Sequence, residues 1–163
     1  LPPPTADAPS AGTTPMSDSV RELLPLLKAQ APHYIRAHIH ARPYILTLGD
    51  TLRLPFLMKD VVPGDVLRLN RATVLGSRDF TLQAAASSKG TREQPGGILR
   101  YLNDRLFVCR AVVTGVESEP MRIMEKTKRR RRHVRHAKSK HKYTVLKISE
   151  LVVKSPEEVE MEE

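Results

Sequence analysis

From Lys126 to Lys142 the chain carries ten Lys or Arg and three His in 17 residues, with no acid among them. Side chains this densely charged repel one another and lose too much hydration on burial to enter an apolar interior. Whatever the rest of the chain folds into, this run has to project from it. Strand-like sequence stands on both sides: Met121-Arg122-Ile123-Met124 before it and Tyr143-Thr144-Val145-Leu146-Lys147-Ile148 after it. The run is therefore expected as a long hairpin loop anchored at both ends. An anchored loop has less conformational entropy to lose on binding than a free tail.

The charge of the whole chain is +9, but outside this run 17 basic residues meet 18 acidic ones, a net charge of −1. The protein is a near-neutral body with one cationic arm. Its 163 residues suit one domain of ordinary size with extensions. Aromatic residues are 4% and Trp is absent, so the core has to be built from Leu, Val and Ile. Cys109 is the single cysteine, which excludes a disulfide scaffold and a cysteine-based zinc site. In its apolar surroundings it reads as a buried, inert thiol. No apolar run approaches the roughly 20 residues a membrane-spanning helix needs. The first residue is Leu1 rather than Met, as after loss of a presequence or of residues ahead of it, and no secretory core follows.

Residues 1–32 read as an N-terminal extension. The first 18 are rich in Pro, Ala, Thr and Ser and lack apolar bulk, so a flexible segment is expected there. Ser19-Val20-Arg21-Glu22 is a capping-box pattern. Val20, Leu23, Leu24 and Leu27 then share one helical face. Pro25 predicts a short or kinked helix that ends before Pro32. Its apolar face fits either its own domain or a neighbouring protein.

From His33 the apolar period becomes two. Short runs at 34–40, 44–47, 51–54, 66–69, 73–75 and 80–82 are punctuated by Arg42-Pro43, Leu48-Gly49-Asp50 and Val62-Pro63-Gly64-Asp65. Strands return at 105–116, 121–124, 143–148 and 151–153. Close, turn-punctuated spacing predicts a mainly β fold: a small antiparallel β-barrel over 33–154, with a long basic hairpin loop at 126–142 and a short N-terminal helix. Residues 84–104, with Gly and Pro, read as a surface insertion. The tail 155–163 holds five Glu in nine residues and is expected to be acidic and disordered.

The cationic run calls for a polyanionic partner. Arg offers planar, bidentate donors to phosphate and Lys offers point charges. Lys126, Lys128, Arg129, Arg130, Arg131, Arg132, Arg135, Lys138, Lys140 and Lys142 are the candidate phosphate contacts. His133, His136 and His141 are candidates for hydrogen bonding or stacking on bases. Arg42 and the alternating His38 and His40 are secondary candidates. Nuclear localisation signals share this composition, so a nuclear or cytosolic nucleic-acid-binding module is the alternative reading. An anionic membrane surface fits less well, because the arm lacks amphipathic aromatics. Its histidines are surrounded by cations that oppose a divalent metal, with no carboxylate or thiolate in the run. No Gly-rich phosphate loop, nucleophile elbow or paired acids occur, so neither a cofactor nor a small-molecule substrate is expected, and no enzyme.

The order of motifs resembles a family. Tyr44-Ile45-Leu46-Thr47-Leu48-Gly49-Asp50 is similar to the Tyr-x-Val-x-x-Gly-Asp element of the bacterial-type large-subunit ribosomal protein numbered twenty-one. Gly64-Asp65-Val66-Leu67 and Val74-Leu75 resemble its second Gly and following strand. Lys126-Thr127-Lys128-Arg129-Arg130 resembles its Lys-x-Lys-Arg-Arg loop entry, and Tyr143–Ile148 its closing Tyr-Thr-x-Val-Lys-Ile strand. The likeness covers about His33 to Val153. Where the family has Gly-Gly-Lys-Gln this chain has His40-Ala41-Arg42-Pro43, so a different turn is expected. Where it has Gly-His-Arg-Gln this chain has Lys138-Ser139-Lys140-His141-Lys142. The extensions and drifts look like a mitochondrial version. The resemblance implies a β-barrel with a projecting loop, bound to large-subunit ribosomal RNA beside neighbouring ribosomal proteins, in the mitochondrial matrix. It implies a structural role in assembly without catalysis.

Overall fold

The computed structural model describes residues 16–85 and 99–161. The extension before residue 16, most of the 84–104 insertion and the last two residues lie outside that range. Helix α1 (Asp18–Ala29) precedes ten strands: β1 (Tyr34–Ile39), β2 (Arg42–Thr47), β3 (Thr51–Arg53), β4 (Val66–Arg68), β5 (Ala72–Gly76), β6 (Thr81–Gln83), β7 (Phe107–Ser118), β8 (Arg122–Thr127), β9 (Val134–Ser139) and β10 (Lys142–Val153). Helix α2 (Pro156–Glu160) follows. One antiparallel sheet has the order β2-β1-β5-β6, a second β3-β10-β7-β4, and β8 pairs with β9 as a separate ribbon.

The mainly β expectation and the N-terminal helix match this architecture. The closed barrel does not: neither four-stranded sheet closes on itself. Three of the four edge strands, β3, β4 and β6, have three residues each, too short for a second ladder across the gap. The long basic loop is also corrected. Most of 126–142 lies in paired strands, leaving Lys128 to His133 as the connection.

Both sheets turn apolar, mostly aliphatic residues inward to one core. Ile35, Leu46 and Leu75 come from the first sheet, and Phe107, Val113, Leu146 and Ile148 from the second. Along β7 burial alternates from Phe107 to Val113, then ends, and Glu117 and Ser118 are exposed. The strand thus leaves the core before it reaches the ribbon. In β10 the buried positions are Thr144, Leu146 and Ile148, then Leu151 and Val153. The register shift between Ile148 and Glu150 explains the change of parity: a bulge at Ser149 turns the following side chains back inward. Two strands were expected at 143–148 and 151–153; the bulge joins them into one.

The two Gly-Asp motifs are one device used twice. Gly49 (φ 88) and Gly64 (φ 101) occupy the left-handed region that side chains disfavour. Asp50 Oδ2 accepts from the Thr47 N–H and Asp65 Oδ2 from the Val62 N–H, each at 2.7 Å. Each turn then docks on a long strand. The Gly49 N–H donates to Ile148 O (3.0 Å), and Ile148 N–H to Asp50 O (2.8 Å). The Gly64 N–H donates to Val113 O (2.8 Å), and Val113 N–H to Asp65 O (2.9 Å). The third special turn lacks glycine. His40 (φ 48) and Ala41 (φ 61) both take positive φ between β1 and β2, the pattern of a two-residue type I′ hairpin.

Thr144 explains the threonine of its motif. It is 1% exposed, and its Oγ1 accepts from the Met58 N–H at 2.9 Å, tying down the segment after β3. Thr144→Val keeps the shape and leaves that donor unmet. An unpaired buried donor costs about 1–3 kcal/mol, so urea unfolding is expected to show a lower midpoint at unchanged slope.

Leu24 and Leu27 of α1 are buried in the domain's own core, which decides between the two readings of that face. Ser17, not Ser19, is the N-cap, and the helix runs through Pro25 to Ala29. The acidic tail departs from expectation as well. Residues 156–160 form a helix with a Ser155/Glu158 capping box, and Val159 is buried. Its carboxylates find partners on α1: Glu158 meets Lys28 at 2.9 Å, and Glu160 pairs with Arg21. Those cations give the acidic run a place to dock that composition does not reveal.

Candidate nucleic-acid interface

The ribbon begins where β7 and β10 outrun the core. Ser118 pairs with Lys142, and the Glu119 N–H donates to His141 O at 3.0 Å. Beyond Pro120, β8 and β9 pair in register from Arg122–Ser139 to Thr127–Val134. Among the described residues they pair with no other strand. Every residue from Met121 to Lys142 is exposed. The turn at the tip is held by the Arg131 N–H donating to Lys128 O at 3.3 Å, with Arg130 at φ 58. A non-glycine residue in that region is strained by about 1–2 kcal/mol.

A charged cluster fixes the ribbon's root. Arg122 Nη2 lies 2.8 Å from Glu119 Oε2, and Arg53 Nε lies 3.0 Å from Glu117 Oε2. The Arg53 guanidinium also sits over the Tyr143 ring, 4.2 Å from its centre. A hydrogen bond from the Tyr143 hydroxyl holds the Glu119 carboxyl below the usual range, helped by Arg122, His141 and Arg53. The same bond raises the Tyr143 hydroxyl. Glu158 is likewise lowered, first by Lys28 and then by the Ser155 N–H. Carboxyls with depressed folded values stabilise fully above their unfolded value, about 4.3 for Glu, and lose that contribution as pH falls through the folded value. The thermal midpoint is therefore expected to drop on acidification below about pH 4–5. In the double variant Glu119→Gln/Glu158→Gln that drop shrinks.

The structure gathers nearly all of the sequence candidates into this ribbon. Lys126 is on β8, Lys128, Arg129, Arg130, Arg131, Arg132 and His133 are in the turn, and Arg135, His136 and Lys138 are on β9. Lys140, His141 and Lys142 stand at the root. Arg42 opens β2 in a different sheet and does not join them. His38 and His40 are apart from the ribbon and from each other's surroundings. His38 Nε2 lies 3.1 Å from Thr73 Oγ1, and its ring packs edge-on to Tyr101. Burial, then Arg36, lowers its pKa. His40 lies in the β1–β2 turn with its ring edge-on to Phe56.

Sequence reasoning missed Arg53, Glu119, Arg122 and Tyr143 at the root, and Glu125 opposite His136. Glu125 stands one residue before the acid-free run, and its Oε1 is 3.0 Å from His136 Nε2. Only strand pairing reveals that contact. Cys109 is buried, and burial pushes its thiol up to about 11. Among the described residues no three His, Cys, Asp or Glu side chains are grouped to hold a metal.

A paired, solvent-exposed ribbon of cations on a neutral body suits a polyanion that it penetrates or crosses. No family model matches the chain. It is 52% identical over 157 residues to the large ribosomal subunit protein bL21m of Neurospora crassa, covering 91% of this chain and 66% of that protein. It is 35% identical over 131 residues to the aconitase-ribosomal protein bL21m fusion protein of Schizosaccharomyces pombe, covering 80% of this chain and 13% of that one. The chain thus spans just under two thirds of the first relative and a small part of the second. On this likeness, and with its Gly-Asp turns, cationic ribbon and root tyrosine in that order, the chain belongs to the bL21m family of mitochondrial large ribosomal subunit proteins.

Proposed function

We propose that this protein is a structural component of the mitochondrial large ribosomal subunit that binds its ribosomal RNA through the β8–β9 ribbon and supports subunit assembly. The observation that carries this reading is the ribbon itself: exposed cations, concentrated at the turn and separate from both main sheets. Arg129 to Arg132 stand at the far end, with Lys126, Lys128 and Arg135 beside them. Neutralising closely spaced phosphates releases counterions and lets RNA segments pack near one another. The body serves as an anchor that sets where the ribbon points, and its outer surfaces are available to neighbouring ribosomal proteins. The role is architectural, with no bound cofactor and no small-molecule substrate.

The test is sedimentation of the native particle. A chain lacking residues 128–142 is expected to leave the large-subunit RNA peak while its body keeps its thermal midpoint. Unchanged co-migration of that chain overturns the reading, as does migration of the intact chain that ignores RNase.

A further inference from the structure

The register of the ribbon sorts its side chains by face. Directly paired residues of antiparallel strands point to the same side, and successive residues alternate. The pairs Arg122–Ser139, Met124–Ala137 and Lys126–Arg135 form one face. The pairs Ile123–Lys138, Glu125–His136 and Thr127–Val134 form the other. Three cations and no acid stand on the first. The second has one cation, Lys138, and the carboxylate of Glu125 beside His136 at 3.0 Å. Exposed apolar side chains stand on both faces, Met124 on the first at 60% and Ile123 on the second at 58%.

We propose, resting on the RNA-binding reading above, that RNA meets the ribbon from one side. Lys126 and Arg135 on the first face contact phosphates together with the turn, and Lys138 and His136 on the second face do not. Two observations carry this. Lys126 and Arg135 are like charges directly opposite one another, an arrangement that destabilises a strand pair by itself. A shared anion between them reverses the sign of that interaction. On the other side Glu125 repels phosphate and already occupies His136. Arg122 lies on the RNA side but is tied to Glu119, so it orients the ribbon rather than joining the contact.

Lys126 and Lys138 make a charge-matched test, since both are exposed lysines on paired strands. Filter binding of the full chain to an in vitro transcript of mitochondrial large-subunit ribosomal RNA is measured across salt. Lys126→Ala is expected to weaken binding about 5-fold and to lower the slope of log affinity on log salt by roughly 0.7–0.9. Lys138→Ala is expected to change affinity less than about 2-fold, with the slope unchanged. Equal losses in the two variants, or a larger loss for Lys138→Ala, overturn the one-sided contact while leaving RNA binding intact. Failure of the unsubstituted chain to bind overturns the RNA-binding reading itself. Circular dichroism melting checks that both variants keep the wild-type midpoint.

Discussion

Replacing Arg129, Arg130, Arg131 and Arg132 together by serine is expected to weaken binding to large-subunit ribosomal RNA by about 100- to 1000-fold near 0.1 M salt. The magnitude follows from counterion release. Each cation that neutralises a phosphate adds roughly 0.7–0.9 to the salt slope, so four lower it by about 3. Thermal stability should hold, because these side chains are exposed and occupy the turn rather than a packed layer. Arg130 takes a positive φ, so a further variant with Arg130→Gly should stabilise the turn slightly while still losing affinity. The measurement is affinity against salt with a melting curve for each variant. A salt slope unchanged by the fourfold replacement would show that the turn does not touch phosphate.

The largest expected effect on stability lies in the core, at the inner end of β7. Phe107 opens β7, pairs with Val153 and is 1% exposed. With only three phenylalanines and no tryptophan in the chain, it is among the few large aromatic side chains available to the core. Phe107→Ala removes its apolar contacts and leaves a cavity that an aliphatic interior fills poorly. Such truncations cost about 3–5 kcal/mol. For a domain of this size that shift corresponds to roughly 10–20 °C in the melting midpoint. Whole domains have only about 5–15 kcal/mol in hand. Phe107→Leu should recover much of the loss, because a branched aliphatic chain refills part of the volume. A Phe107→Ala midpoint within a few degrees of wild type would mean the core closes over the gap.

The two variants act on separate quantities, one on salt-dependent affinity and one on unfolding. That separation follows from the shape of β7 and β10. Their inner halves supply the core, and their outer ends leave it as the base of the ribbon. Phe107 and the tip arginines are thus connected through strands whose two ends have different solvents.

Much of this arrangement is legible in the residues. Period-two apolar runs located most strands to within a few positions, because one face of each strand meets a core and the other meets water. Gly49-Asp50 and Gly64-Asp65 marked turns because only glycine takes their φ at little strain. Density of charge placed the cationic run outside the body. Other features depended on partners far away in sequence. Residues 156–160 are helical because Lys28 and Arg21 on α1 receive Glu158 and Glu160 and Val159 finds the core. His40 and Ala41 hold a turn that local preference disfavours, with His40 packed on Phe56.

By itself, then, the amino-acid sequence determined that the fold is mainly β, that its core is aliphatic, and that one acid-free segment must project between two strands. These follow from hydration and from local backbone sterics, which act on near neighbours. Tertiary structure decided that the sheets stay open, that the projecting segment is a paired ribbon rather than a loop, and that Glu125 faces His136 while Lys126 faces Arg135. Such outcomes depend on register. A shift of one residue moves every side chain to the opposite face, and no local preference along a highly charged strand distinguishes one register from the next.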